Sequence, residues 1–210
     1  MYAMCGRCII LTFDEVLEVI REIEVNSPVN IEPDWPARRP LAYPKASAPL
    51  IVPKFDTALA SPALTSEALS ARELSWGFEE SWKPGVVFNT RIESAGKPTW
   101  RESMEHRRCV IPVHAFFEAH REETYPSPKT GRPVKRQYEF CVPGQDVVLI
   151  GCIWRSSTFS MVTTEANADM APIHHRMPLI VRQEELPLWF GPGYRKLADR
   201  SSIRLEAKRA

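Results

Sequence analysis

Residues 109–112 read CVIP, 115–119 AFFEA, 137–142 QYEFCV, 147–154 VVLIGCIW, 159–164 FSMVTT and 178–181 PLIV. These six short runs decide the fold. Each is rich in β-branched and aromatic residues and is separated from the next by Gly, Pro or Asn, which is the pattern of strands joined by turns. The core is therefore mainly β. The expected fold class is α+β, one β-rich domain over residues 1–210, with short, mainly antiparallel strands and a few peripheral helices.

Outward from this block, helices are announced by their caps. Thr12 with Glu15 forms a capping box, and Phe13, Val16, Leu17, Ile20 and Ile23 recur at helical spacing, so residues 13–24 are a helix. Thr99 with Glu102 opens a second, short helix through about Arg107, with Trp100 and Met104 on one face. Residues 26–63 are punctuated by prolines, which permits loops and edge strands but no long helix. Residues 122–136 carry Pro126, Pro128, Gly131 and Pro133 among polar residues and read as a long exposed hairpin loop. Residues 183–190 suggest a helix kinked or restarted at Pro187, and residues 196–210 a surface helix or frayed tail.

With 210 residues and 44% hydrophobic side chains the chain can bury one sizeable core. No stretch approaches a membrane span and the first seven residues are unlike a secretory signal, so a cytoplasmic protein is expected, with no membrane contact. Five cysteines in a chain of this size imply free thiols in a reducing compartment. The formal net charge of +1 carries no global signature of nucleic-acid binding, so any such contact must come from a local cluster of arginines.

One cysteine stands apart. Cys5 follows Met4 near the start and precedes Gly6 and Arg7, an arrangement suited to an N-terminal nucleophile. A cysteine with a free α-amine carries two nucleophiles on adjacent carbons, an amine of pKa about 7.7 to 8.0 and a thiol of about 8.5. An aldehyde would meet the amine as a Schiff base, and the thiol would then close a five-membered thiazolidine. Taken alone, Cys5 reads as a small buried residue beside a first strand.

Six blocks change that reading. Cys5-Gly6-Arg7, Trp76-Gly77 with Trp82, Phe88-Asn89-Thr90-Arg91-Ile92-Glu93, Arg107-Arg108-Cys109-Val110-Ile111-Pro112, Phe116-Phe117-Glu118 and His174-His175-Arg176-Met177-Pro178 occur in this order. In content and order they resemble the SRAP family, the SOS-response-associated peptidases, over most of the chain. The resemblance implies a protein that crosslinks itself to abasic sites in single-stranded DNA. It implies catalytic roles for four residues: Cys5 as the crosslinking residue, Asn89 as a positioner of its amine, Glu118 as the acid/base group, and His174 as an aid to sugar ring opening and reversal. His174 rather than His175 fits the family's His, any residue, Arg, Met, Pro.

Each role has a chemical rationale and a plainer alternative. An abasic deoxyribose is mainly a closed hemiacetal, so exposing its aldehyde requires a proton to move, a task suited to a carboxyl and an imidazole. Strand alternation alone, however, turns Phe117 inward and Glu118 outward, and Asn89 alone reads as a turn or cap. Arg7, Arg91 and Arg176 each lie two residues from a proposed catalytic group and are candidate phosphate contacts, while Trp76 and Phe88 are candidates to stack on bases. No cofactor or metal is implied, and a monomer is expected.

The sequence departs from the family in places. Glu79 and Glu80 stand where an apolar residue and proline are usual, and Ala115, Phe117 and Ala119 replace glycine, tyrosine and tryptophan around Glu118. The chemistry also needs a free Cys5 amine, so either Met4 is the working start or residues 1–4 are removed. A cysteine peptidase using Cys5 and His174, a non-covalent single-strand-binding module, and a redox or zinc role for the Cys5/Cys8 pair remain alternatives.

Overall fold

The computed structural model describes residues 6–29, 31, 40–57 and 68–210. Strand β1 (Arg7–Ile10) leads into α1 (Phe13–Glu24). The capping box is formed: the Glu15 amide donates to Thr12 Oγ1 at 3.3 Å, and the Thr12 amide donates to the Glu15 carboxylate at 2.5 Å. The helix buries Val16, Val19, Ile20 and Ile23, each side chain contributing roughly 1.5 to 3 kcal/mol of burial. Phe13 instead remains largely exposed.

Then follow β2 (Leu41–Ala42), β3 (Ser47–Pro53), β4 (Leu69–Trp76), a hairpin of β5 (Phe78–Glu80) and β6 (Lys83–Val87), and β7 (Asn89–Arg91). Helix α2 (Pro98–His106) precedes β8 (Arg108–Pro126), β9 (Pro133–Cys141), β10 (Val148–Arg155), β11 (Thr158–Glu165), β12 (Arg176–Pro178), α3 (Leu186–Phe190) and β13 (Glu206–Arg209). The α2 cap is Lys97 with Pro98 in the first turn, not Thr99, because proline's fixed φ and missing N–H suit that position. No helix among the described residues is long and apolar enough to cross a membrane.

The strand pairings close on themselves. β10 pairs β11, β11 touches β4, β4 pairs β3, β3 meets β8 at Ile51 opposite Val110, and β8 pairs β10 again. All of these are antiparallel except the short β11–β4 contact, so the expected mainly antiparallel, β-rich architecture holds. Leu50, Leu74, Ile111, Ile150 and Met161 belong to an inner core. Alternate residues on the same strands, Ile51, Val110, Leu149 and Val162, pack with α1, α2 and α3 into an outer one.

Two sequence readings are corrected. Residues 109–119 form a single strand that continues as β8 to Pro126, and the expected loop over 122–136 is mostly ladder, with Thr124 opposite Lys135 and Tyr125 opposite Val134. The two prolines face each other at the end of that ladder, Pro126 opposite Pro133, where no further N–H is needed. Only a turn remains between them. The tail is neither helix nor frayed: β13 pairs β9, and Lys208 reaches Glu139 at 2.9 Å.

A buried arginine ties the outer layer to the sheet. The Arg108 guanidinium is 1% exposed and donates to the carbonyls of Thr57 at 2.9 Å, Trp189 at 2.6 Å, Phe190 at 3.0 Å and Gly191 at 2.8 Å, as well as to Met104 and Glu105. Carbonyls at the C-terminal ends of α2 and α3 thus converge on one cation, where helix dipoles favour positive charge.

Candidate active site

β8 runs between β1 and β9. Arg7 lies opposite Phe117, Cys8 opposite Phe116 and Ile9 opposite Ala115, but Ile10 lies opposite Val113. His114 is therefore an extra residue on β8, a β-bulge, and it reverses the inside–outside alternation beyond it. Before the bulge Cys109, Ile111 and Val113 point into the inner core; after it Phe116 does, stacked on Phe140 at 5.3 Å. Glu118 shares the face of Phe116, and its side chain is buried, with the residue 2% exposed. The outward reading of Glu118 is thereby corrected. Phe117 takes the other face with Ile9 and Ala115, covered by the Arg7 guanidinium 3.6 Å from its ring centroid.

Glu118 borders a cavity of about 310 Å³ that is also lined by Gly6, Arg7, Tyr43, Phe117 and Gln137. Its Oε1 lies 3.3 Å from the Ala119 amide, which donates to it. The expected nucleophile, Cys5, lies outside the described residues; it is the residue bonded to Gly6. Cys8, the other member of that pair, is buried.

A second cavity, of about 550 Å³, is lined by Arg91, Arg121, Glu165, His175 and Arg176. Three strands bring these residues together. β7 runs parallel to β11, with Asn89 opposite Met161 and Arg91 opposite Thr163, while β12 lies antiparallel to β11, with Arg176 opposite Glu165. β8 reaches the same place, where the Arg121 amide donates to the Ile173 carbonyl at 3.0 Å. Ala119 on the first cavity and Arg121 on the second are two residues apart.

His174, bonded to the cavity residue His175, is buried. Its Nδ1 lies 3.2 Å from both the amide and the carbonyl of Arg176, and its Nε2 is buried with no hydrogen-bond partner among the described residues. Burial, above all, lowers its pKa, and the positive charges of Arg121 and Arg176 and the neighbouring His175 push the same way, against a hydrogen bond to the Arg176 backbone. The ring is neutral at physiological pH, with one nitrogen free to exchange a proton.

A family model described as SOS response associated peptidase (SRAP) matches residues 4–208. The chain belongs to the SRAP family. Curated relatives include YoqW of Bacillus subtilis strain 168, 29% identical over 136 residues, and YoaM of the same organism, 29% identical over 138 residues; both are named abasic site processing proteins. The YoqW alignment covers 57% of each chain and the YoaM alignment 57% of this chain and 56% of the relative. The SRAP chain thus spans little more than half the length of the curated relatives it matches. Among solved structures, a Bacteroides thetaiotaomicron protein aligns with TM-score 0.65 at 18% identity, over 98% of this chain and 91% of that one. A phage-related protein of Bordetella bronchiseptica aligns at 0.61 and 19%, over 98% and 94%. At such identities the likeness is one of fold.

Within this SRAP fold not every candidate contact is exposed. Trp76 is 0% exposed, stacked on Phe159 at 6.0 Å with its Nε1 donating to the Phe88 carbonyl at 2.9 Å, so it is core and not a base platform. Arg176 is buried and gives two hydrogen bonds to Glu93, at 2.8 and 2.7 Å, and one to the Thr163 carbonyl. Its guanidinium holds Glu93, in the short helical turn that follows β7, against β11 and is not offered to a phosphate. Phe88 is half-buried, edge-on to Trp76, and Arg91 is exposed. Arg121 escaped sequence reasoning because it fell between the expected strand ending at Ala119 and the supposed loop from Glu122; only the continuity of β8 brings it to the cavity.

Proposed function

We propose that the protein captures abasic sites in single-stranded DNA covalently through Cys5, in a form that begins at that residue. The observation that carries this reading is the cavity shared by Gly6, which is bonded to Cys5, and the buried carboxyl of Glu118. The relatives named abasic site processing proteins support it, and so does the family match beginning at Met4.

His174, neutral and with its Nε2 unpartnered among the described residues, accepts the hydroxyl proton of the sugar hemiacetal while Glu118 gives its proton to the ring oxygen, and the aldehyde opens. The Cys5 amine adds to the aldehyde carbon as His174 returns its proton to the carbonyl oxygen and the Glu118 carboxylate takes one amine proton; Glu118 then passes that proton to the hydroxyl, which departs as water, and takes the second amine proton, leaving an imine. The thiol sulfur then bonds to the same carbon while its proton passes to nitrogen, closing the thiazolidine. Asn89 positions the amine. Arg7 and Arg91 contact phosphates and Phe88 a base edge beside the lesion.

The test is a denaturing gel of the mature protein after incubation with a single-stranded oligonucleotide carrying one abasic site. A heat-stable shifted band is expected. It vanishes in Cys5→Ala and forms on the order of a hundredfold more slowly in Glu118→Gln. An unchanged band in Cys5→Ala overturns the nucleophile. Reversible binding without a band points to a binding module, and peptide cleavage without an adduct points to a peptidase.

A further inference from the structure

One wall of the cavity beside Gly6 has no part in the chemistry assigned to Cys5 and Glu118. Two aromatic rings border that cavity, those of Phe117 and Tyr43. Phe117 is buried and covered by the Arg7 guanidinium, so it offers little surface to a ligand. Ala119 also lines the cavity and adds only a methyl group where the family usually has tryptophan. Tyr43, by contrast, is 47% exposed. Its ring is the accessible aromatic face among the described residues that line this cavity.

The Tyr43 backbone is pinned although its ring meets solvent. β1 pairs β2 with Cys8 opposite Ala42, which carries the next residue, Tyr43, to the level of Arg7. There the chain turns: the Ala46 amide donates to the Tyr43 carbonyl at 2.8 Å, with Pro44 and Lys45 between them. Lys45 has φ +79°, so the segment has the pattern of a type II turn, with proline second and a left-handed residue third. A lysine in that third place carries backbone strain that glycine would avoid. Its amide donates to the Trp76 carbonyl at 2.7 Å, tying the turn to the buried core. The fold thus holds a strained, rigid turn whose first side chain is an exposed aromatic ring at the cavity mouth.

A ring held in water is stabilised when a ligand covers it. The sugar-phosphate backbone repeats at every position of a strand, so contacts to it do not find a lesion. The aldehyde reaction rejects an intact nucleotide only after the protein has bound. Discrimination in the reversible step needs a group that senses the missing base. We propose that Tyr43 is that group: its ring packs on the face of the sugar from which the base has gone, and an intact base competes with it for the same space. The small side chain of Ala119 leaves this space open from the β8 side. The inference deepens the abasic-site reading and rests on it for the identity of the ligand, but it concerns recognition before any bond forms.

The experiment measures fluorescence anisotropy with two labelled thymidylate oligomers, one intact and one carrying a single central tetrahydrofuran residue, an abasic analogue with no aldehyde. The natural protein is expected to bind the tetrahydrofuran strand about tenfold more tightly than the intact one, the order of a single aromatic stacking contact. Tyr43→Ala brings that ratio to about one while affinity for the intact strand stays within about twofold, and Tyr43→Phe, which keeps the ring, keeps the preference. No preference in the natural protein, a preference unchanged in Tyr43→Ala, an equal loss on both strands, or a preference lost in Tyr43→Phe overturns the proposal. Because the analogue cannot react, a protein that crosslinks to a true abasic site yet shows no preference here overturns this inference alone.

Discussion

A neutral imidazole in the interior links this protein to pH. His174 has a lowered pKa, first because it is buried and then because cationic neighbours surround it, while in the unfolded chain an imidazole titrates near about 6.5. Below that value the unfolded state binds the proton more readily. The stability supplied by neutral His174 is therefore present above about pH 6.5 and is lost as pH falls through the folded midpoint. Urea midpoints measured between pH 7 and 5 should fall more steeply for the natural chain than for His174→Asn; equal slopes would remove His174 from this role. Glu118 makes a different point at the same scale. Its carboxyl is inside because His114 is an extra residue on β8, so a side chain that alternation turned to solvent lines a cavity instead.

At the scale of elements, α1 and the β4–β5 corner show how much local sequence can dictate. Thr12 and Glu15 satisfy two amides at the helix start, so Thr12→Ala is expected to cost about 1 kcal/mol in denaturant unfolding with little change in activity. Gly77 sits at φ +121°, and a Cβ there would lie 2.5 Å from Val86 Cγ2. Gly77→Ala thus combines backbone strain with a clash and should destabilise by roughly 2 kcal/mol or more, lowering the melting temperature by several degrees. The cap could be read from neighbours in the chain. The length of β8 could not: its prolines and charged residues resemble a loop, and only pairing with β9 shows that they continue a strand.

At the scale of the whole molecule, Arg108 ties parts distant in the chain together. It donates to carbonyls at the ends of α2 and α3 and to that of Thr57, and lies 4.2 Å from the Tyr194 ring centroid. Burial lowers its pKa to about 10, which leaves it charged at neutral pH. Arg108→Met would strand those carbonyls without a donor and should cost about 3 to 5 kcal/mol, the range seen when one partner of a buried charged network is removed. A loss below about 1 kcal/mol in urea unfolding would mean that water or a rearranged α3 replaces it.

Composition, caps and motif order were enough to identify a β-rich chain, α1 and the SRAP family, because each depends on residues close in sequence or on their order. Which way Glu118 points, that Trp76 is sealed in the core, that Arg176 is spent on Glu93, and that Arg121 joins His175 at one cavity were decided by the tertiary structure. The physical reason is that facing and exposure depend on pairing between strands far apart in the chain: one inserted residue on β8 inverts every side chain beyond it, and no periodicity within a single strand records which residue its partner skips.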